Sequence, residues 1–167
     1  MTISLKNTIL WNPSKDIQSP NHAFNENTVL LLSRLAQAYE VHLVSHTNTS
    51  AEKKQICGLL RNAHIDSSKN LQESMVDQVH YCRTEQDKIQ LMKRLRPSIH
   101  VEGGWEMEDG HSIIGQILNG IGSVNKLVWV VSNLKRKLHY QDEFSEADAL
   151  EFTDNITHSS LARELGF

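Results

Sequence analysis

Only two of the 167 residues are cysteine, Cys57 and Cys82, and they stand far apart in apolar surroundings. That excludes a disulfide framework and points to buried free thiols in a reducing compartment. No stretch approaches the roughly 18 consecutive apolar residues of a membrane span, and the first residues lack a signal-peptide pattern. The chain as it stands is expected to be soluble. Glycine is missing where phosphate chemistry needs it. Gly103-Gly104 lacks the third glycine and the helix start of a dinucleotide loop, Gly120-Ile121-Gly122 follows a helix pattern, and no G-x-x-x-x-G-K sequence occurs. No cofactor is expected. Charge of one sign is also lacking, with 17 Lys and Arg against 20 Asp and Glu and a net charge of −3. The one dense basic cluster, Lys135-Arg136-Lys137, reads as a solvated loop, so no nucleic-acid partner is expected.

What the chain does have is alternation. A hydrophobic fraction of 39% and a charged fraction of 22% are ordinary for a globular protein, and this length fits one domain that needs no metal or disulfide to fold. Five short apolar runs, at residues 8–11, 41–45, 79–82, 98–101 and 126–131, read as strands. Helix patterns lie between them. Val29, Leu32, Leu35 and Ala36 form a stripe ending near Tyr39, and Ser50 caps a helix carrying Ile56, Leu59, Leu60 and Ala63. Thr84 caps the next, with Glu85 and Asp87 at its positive end, Lys93, Arg94 and Arg96 at its negative end, and Pro97 closing it. Ile113, Ile114, Ile117, Leu118 and Ile121 mark a helix over 111–121 that Gly122 ends. Residues 66–77 are irregular, with one helical turn expected at 71–75.

Strands separated by helices of this length imply right-handed parallel crossovers. The expected fold is α/β, a Rossmann-like three-layer sandwich with a mainly parallel five-stranded sheet and a C-terminal helical tail. Residues 1–131 would form the Rossmann-like domain. Residues 132–167 would pack on or beside it, with helix patterns at 146–152 and 159–165.

Open parallel sheets place their chemistry beyond the carboxyl ends of the strands. Here those ends read Asn12-Pro13-Ser14, His46-Thr47-Asn48, Arg83-Thr84-Glu85, Glu102-Gly103-Gly104 and Ser132-Asn133, which is no complete catalytic set. Cys82 precedes a capped helix, but the position where a phosphatase clamps phosphate with arginine is Lys88, so a packed core thiol is the reading. His42, His80 and His100 each take the second place of a strand. The only closely spaced pair is His42 and His46, short of the three or four ligands zinc wants, so no metal is expected. Ser45 ends the second strand, as in haloacid-dehalogenase-like phosphohydrolases. Their first motif needs a nucleophilic aspartate at the end of strand one and a second acid two residues on, where this reading finds Asn12 and Ser14. A divergent phosphohydrolase is the alternative function. A receiver- or flavodoxin-like module is a third, without the acidic cluster or phosphate loop it requires. Trp105 and Met107, in an acidic loop over 102–109, plug the sheet end or anchor a partner. No catalytic residue is expected.

The stretch 79–103, VHYCRTEQDKIQLMKRLRPSIHVEG, resembles the peroxin-22 family, with a strand ending in Cys, a capped helix with a basic end, and a strand leading to a charged turn. Residues 113–130, IIGQILNGIGSVNKLVWV, resemble that family's last helix and strand, and the likeness runs in order over about 40–131. The resemblance implies a non-enzymatic Rossmann-like domain on the cytosolic face of the peroxisomal membrane, held there by an N-terminal anchor absent from this chain. It implies that the domain recruits and stimulates the peroxisomal ubiquitin-conjugating enzyme, supporting ubiquitination and recycling of the import receptor. The expected partner-facing residues are Arg83, Trp105, Met107 and Ile113.

Overall fold

The sheet begins six residues earlier than the first apolar run suggests. The computed structural model describes residues 1–14, 16, 20–63, 75–106 and 108–167. In chain order its elements are β1 (Thr2–Ser4), β2 (Leu10–Trp11), β3 (Ala23–Phe24), α1 (Thr28–Ala38), β4 (His42–His46), α2 (Ser50–Asn62) and β5 (Val79–Cys82). There follow α3 (Glu85–Leu95), β6 (Ile99–Glu102), α4 (His111–Gly120), β7 (Lys126–Val130), α5 (Leu134–Glu143), β8 (Leu150–Thr153) and α6 (Ser160–Glu164). Of the turn expected at 71–75, residues 71–74 lie outside the described part, and Met75 opens a short 3-10 turn.

Six strands pair in parallel in the order β5-β4-β1-β6-β7-β8. Numbered among themselves along the chain, they run 3-2-1-4-5-6, the doubly wound Rossmann-like order. The winding reverses between β1 and β6, so the crevice of such a fold opens beyond the ends of those two strands.

Two expectations are corrected. Residues 8–11 are not a sheet strand; Leu10 and Trp11 pair antiparallel with Phe24 and Ala23 in a separate ribbon. The central strand is β1, hidden in the sequence because Thr2 and Ser4 are polar, although both are buried. The sheet has six strands rather than five, because the tail supplies one. Residues 146–152 do not form a helix; Leu150–Thr153 pairs with β7, and Leu150 and Phe152 pack on the same side as Trp129. The helix expected at 159–165 is present as α6. Lys135 and Arg136 are exposed and Lys137 is half-buried, and all three lie on the helix α5 rather than in a loop.

Burial on both faces explains why the later strands are near-continuous apolar runs. In β7, Val128 and Val130 face the core under α1, α2 and α6, while Leu127 and Trp129 face the core under α3 and α4. Helix ends follow the local chemistry. Thr84 and Asp87 form a reciprocal capping box on α3. On α2 the cap is Thr49 rather than Ser50, its hydroxyl accepting from Glu52 N–H.

Candidate functional site

The carboxyl ends of β1 and β6 carry the most unusual chemistry in the molecule, a fully buried charge pair. Lys88, on the inner side of α3 with Ile89 and Met92, is 2% exposed, and Glu102, the last residue of β6, is 0% exposed. The Lys88 ammonium donates to both Glu102 oxygens, at 2.9 and 2.8 Å, and to Ser4 Oγ at 2.8 Å. Ser4 Oγ donates in turn to Glu102 Oε2 at 3.0 Å. His100 Nε2 lies 3.0 Å from the same oxygen, and His100 Nδ1 lies 2.8 Å from Thr2 Oγ1. An ionised carboxylate only accepts, so His100 donates through Nε2 and accepts from Thr2 through Nδ1. The Gly103 and Gly104 N–H groups complete the set on Glu102 Oε1, at 3.1 and 2.7 Å.

Burial alone would raise the Glu102 carboxyl. The Lys88 ammonium and the His100 donor outweigh it and hold Glu102 well below the usual carboxylate range. Burial pushes His100 below its ordinary value, which keeps the ring neutral. The pair is therefore closed: every acceptor direction of Glu102 is taken by a donor of the same chain.

A second ionic group borders it. Lys6 pairs with Glu52 Oε1 at 2.6 Å and with Glu106, and His22 Nε2 lies 2.7 Å from Glu52 Oε1. Burial would raise Glu52, but the hydrogen bonds from His22 and Lys6 bring it down to about 2.

The glycine pair after β6 has a packing reason. A Cβ at Gly103 would stand 2.9 Å from the Lys6 carbonyl oxygen and 2.7 Å from Thr8 Cγ2. Gly104 has φ +73°, and a Cβ there would collide with the Glu108 carbonyl oxygen. Asn7 Nδ2 donates to the Gly103 carbonyl at 3.0 Å. The loop thus lies directly on the chain leaving β1, over the place where a doubly wound fold would admit a ligand.

Above the charge pair sits Trp105. Its ring stacks on His46, with centroids 4.9 Å apart and planes at 22°, and Lys88 Nζ lies 5.2 Å from its centroid. His46 Nε2 donates to the Arg83 carbonyl at 2.6 Å. Arg83 and Trp105 are thus brought together through His46, Arg83 exposed and Trp105 half-buried. Ile113 is not with them. It is 0% exposed on the inner side of α4, in the core with Ile117 and Trp129, because the apolar stripe of α4 starts at that residue. It belongs to the core and not to a partner surface. Met107 lies outside the described residues.

The other candidates resolve as packing. Cys82 is buried and its thiol is pushed up by burial, the reverse of an activated nucleophile. His42 and His80 meet across β4 and β5 at 3.2 Å. Among the described residues, no group of three or more His, Cys, Asp or Glu is placed to hold a metal ion. Ser45 is 1% exposed, and its hydroxyl has no hydrogen-bond partner among the described residues. With β1 as the first strand, the two positions that phosphohydrolase chemistry gives to acids are Ser4 and Lys6, so the second carries the opposite charge.

Farther along the same edge a cavity of about 420 Å³ opens past β7 and β8, bordered by Asn7 and Thr8 after β1 and by Gly103 after β6. Sequence reading missed both this cavity and the buried pair. The one available signal was Lys88 itself, a lysine on the apolar side of a helix. Among the described residues, no helix is long and apolar enough to cross a membrane. Compared with known proteins, the chain matches no family model and no curated protein.

Proposed function

We propose that this domain is a non-enzymatic binding protein that recruits and stimulates a peroxisomal ubiquitin-conjugating enzyme on the cytosolic face of the peroxisomal membrane, supporting import-receptor ubiquitination and recycling. The specific partner rests on the peroxin-22 resemblance of residues 79–103 and 113–130. The observation that supports binding over reaction is the closure of Glu102. The carboxylate nearest the switch point accepts from Lys88, Ser4, His100 and two backbone N–H groups of its own chain. A general base needs a lone pair free for substrate, and this one has none to offer.

A rigid edge of this kind acts on a partner by selecting one of its conformations, which requires only differential affinity. Arg83, exposed, and Trp105, half-buried, both reach His46, Arg83 through its backbone carbonyl and Trp105 through its ring, and with Met107 they are the residues of the proposed contact. Calorimetric titration with the peroxisomal conjugating enzyme tests the reading. Binding in the micromolar range or tighter is expected, and no heat at tens of micromolar rejects it.

The second reading, a divergent haloacid-dehalogenase-like phosphohydrolase, draws on Ser45 and its unpartnered buried hydroxyl. Turnover of generic phosphate esters with magnesium, abolished by Ser45→Ala, would favour it. The expected result is no turnover.

A further inference from the structure

The cavity at the far end of the edge has a chemistry of its own. Its lining holds the carboxylates of Glu106, Glu108, Asp109 and Asp154 against the single guanidinium of Arg136. Two of these acids are satisfied internally: Glu106 by Lys6, and Asp109 by Arg136 at 3.3 Å and by Tyr140 Oη. Glu108 is exposed and has no ion-pair partner among the described residues. Asp154 meets His158 at 3.0 Å and feels the more distant charge of Lys137, on a side chain that is 60% exposed. An excess of negative charge therefore faces the cavity, and Trp11, 48% exposed, lines the same wall. An aromatic face beside carboxylates suits a cation, which gains from both the ring quadrupole and the charge.

The surface does not stop at the cavity. Asn133 and Arg136 bring the first turn of α5 to its rim, and α5 buries none of its residues. Leu134 and Leu138, one helical turn apart, are 68% and 54% exposed. Among the described residues the exposed large hydrophobics are these two, Trp11 and Leu30, so all but Leu30 lie on the cavity wall or on the helix at its rim. An apolar rim around a small charged cavity fits a polypeptide better than a small cation. Lys135 and Lys137 lie on α5 outside the lining, which disfavours a uniformly basic segment.

We propose that this cavity is the specificity pocket for the partner protein, taking one arginine or lysine side chain beside Trp11 while an adjacent apolar residue of the same segment covers Leu134. The proposal rests on the binding-protein reading and adds to it where the partner docks and by what chemistry. It places the dominant contact at the β7–β8 end of the edge, with Glu106 and Glu108, close neighbours of Trp105, on its near side.

The experiment has two arms. In the first, the conjugating enzyme is titrated into the wild-type domain, into a pocket variant with Glu108→Lys and Asp154→Lys, and into Trp11→Ala. A control carries Glu40→Lys and Glu164→Lys, the same charge change on residues near the amino ends of β4 and β7. The pocket variant and Trp11→Ala should each weaken binding at least tenfold, and the control less than twofold. Equal losses in pocket variant and control, or none in either, overturn the proposal.

The second arm needs no enzyme, so failure of the partner assignment stays separate from failure of the pocket. Nα-acetyl-arginine amide and Nα-acetyl-glutamate amide are titrated into isotope-labelled domain. Amide shifts should gather on Asn133 and Asn155, with the Trp11 indole, for the arginine probe alone. Scattered shifts, or the same pattern with glutamate, refute a cation pocket.

Discussion

Toward α1, α2 and α6 the sheet presents Ile3, Leu43, Val101 and Val128, all 1% exposed or less, on Leu31, Leu35, Ile56 and Leu161. Toward α3 the same central strands present Thr2, Ser4, His100 and Glu102 under Lys88. The first face stabilises by burying apolar surface, about 1.5–3 kcal/mol for each large aliphatic side chain. The second gains little net energy, because desolvating two charges costs nearly as much as their attraction returns. What it supplies is a fixed geometry: α3, β1, β6 and the Gly103-Gly104 turn are all tied to one carboxylate. The comparison teaches that this edge is held rigid by charge and shut by the chain's own donors.

Breaking the polar face should produce the largest effect. Glu102→Gln keeps the shape but leaves Lys88 an uncompensated buried charge, and should cost about 3–5 kcal/mol in urea unfolding. Adding Lys88→Met in the same chain should recover most of that loss. A mild effect of Glu102→Gln alone would mean that the pair is not ionised.

On the apolar face, Leu43→Ala should cost about 2–4 kcal/mol by leaving a cavity, and no second substitution across the sheet should rescue it. That difference in rescue, read from double-mutant cycles, separates the two kinds of face.

A third test uses acid. Glu52 titrates at about 2 in the fold against an ordinary 4.5, so it takes up protons more readily when unfolded. Its stabilisation is fully present above pH 4.5 and is lost as pH falls toward 2. Glu52→Gln should flatten that acid limb while leaving the slope above pH 5 unchanged. An unaltered limb would place the acid sensitivity elsewhere.

The smallest effect belongs to the surface. Lys126 and Glu164 meet at 2.9 Å with side chains 28% and 54% exposed. Lys126→Ala should cost under about 1 kcal/mol, and the loss should vanish in high salt.

Most of the frame was legible in the sequence for local reasons. Alternation and short apolar runs marked β4 to β7, and Thr84, Asp87, Lys93 and Arg94 marked α3 from both ends. The innermost strand was not legible, since Thr2 and Ser4 look like a solvated terminus until His100 and Glu102, 98 residues later, are set beside them. Glu102 itself looked like the start of an acidic loop. β8 was missed because its period-2 pair, Leu150 and Phe152, is short and follows the helix formers Glu146, Ala147 and Ala149. Of the partner-facing residues expected, Arg83 and Trp105 come together at the edge, whereas Ile113 was pulled inward by the same stripe that made α4 recognisable. The cavity depends on four strand ends and the Trp11 ribbon, a meeting that no local pattern announces.

Hydrogen exchange of the domain, alone and saturated with the peroxisomal ubiquitin-conjugating enzyme, tests the central claim most directly. The account predicts new protection at the carboxyl ends of the strands, in segments 104–111 and 131–137, with the amino ends of β4 and β7 unchanged. Protection confined to the amino ends, or none at saturating partner, would contradict it.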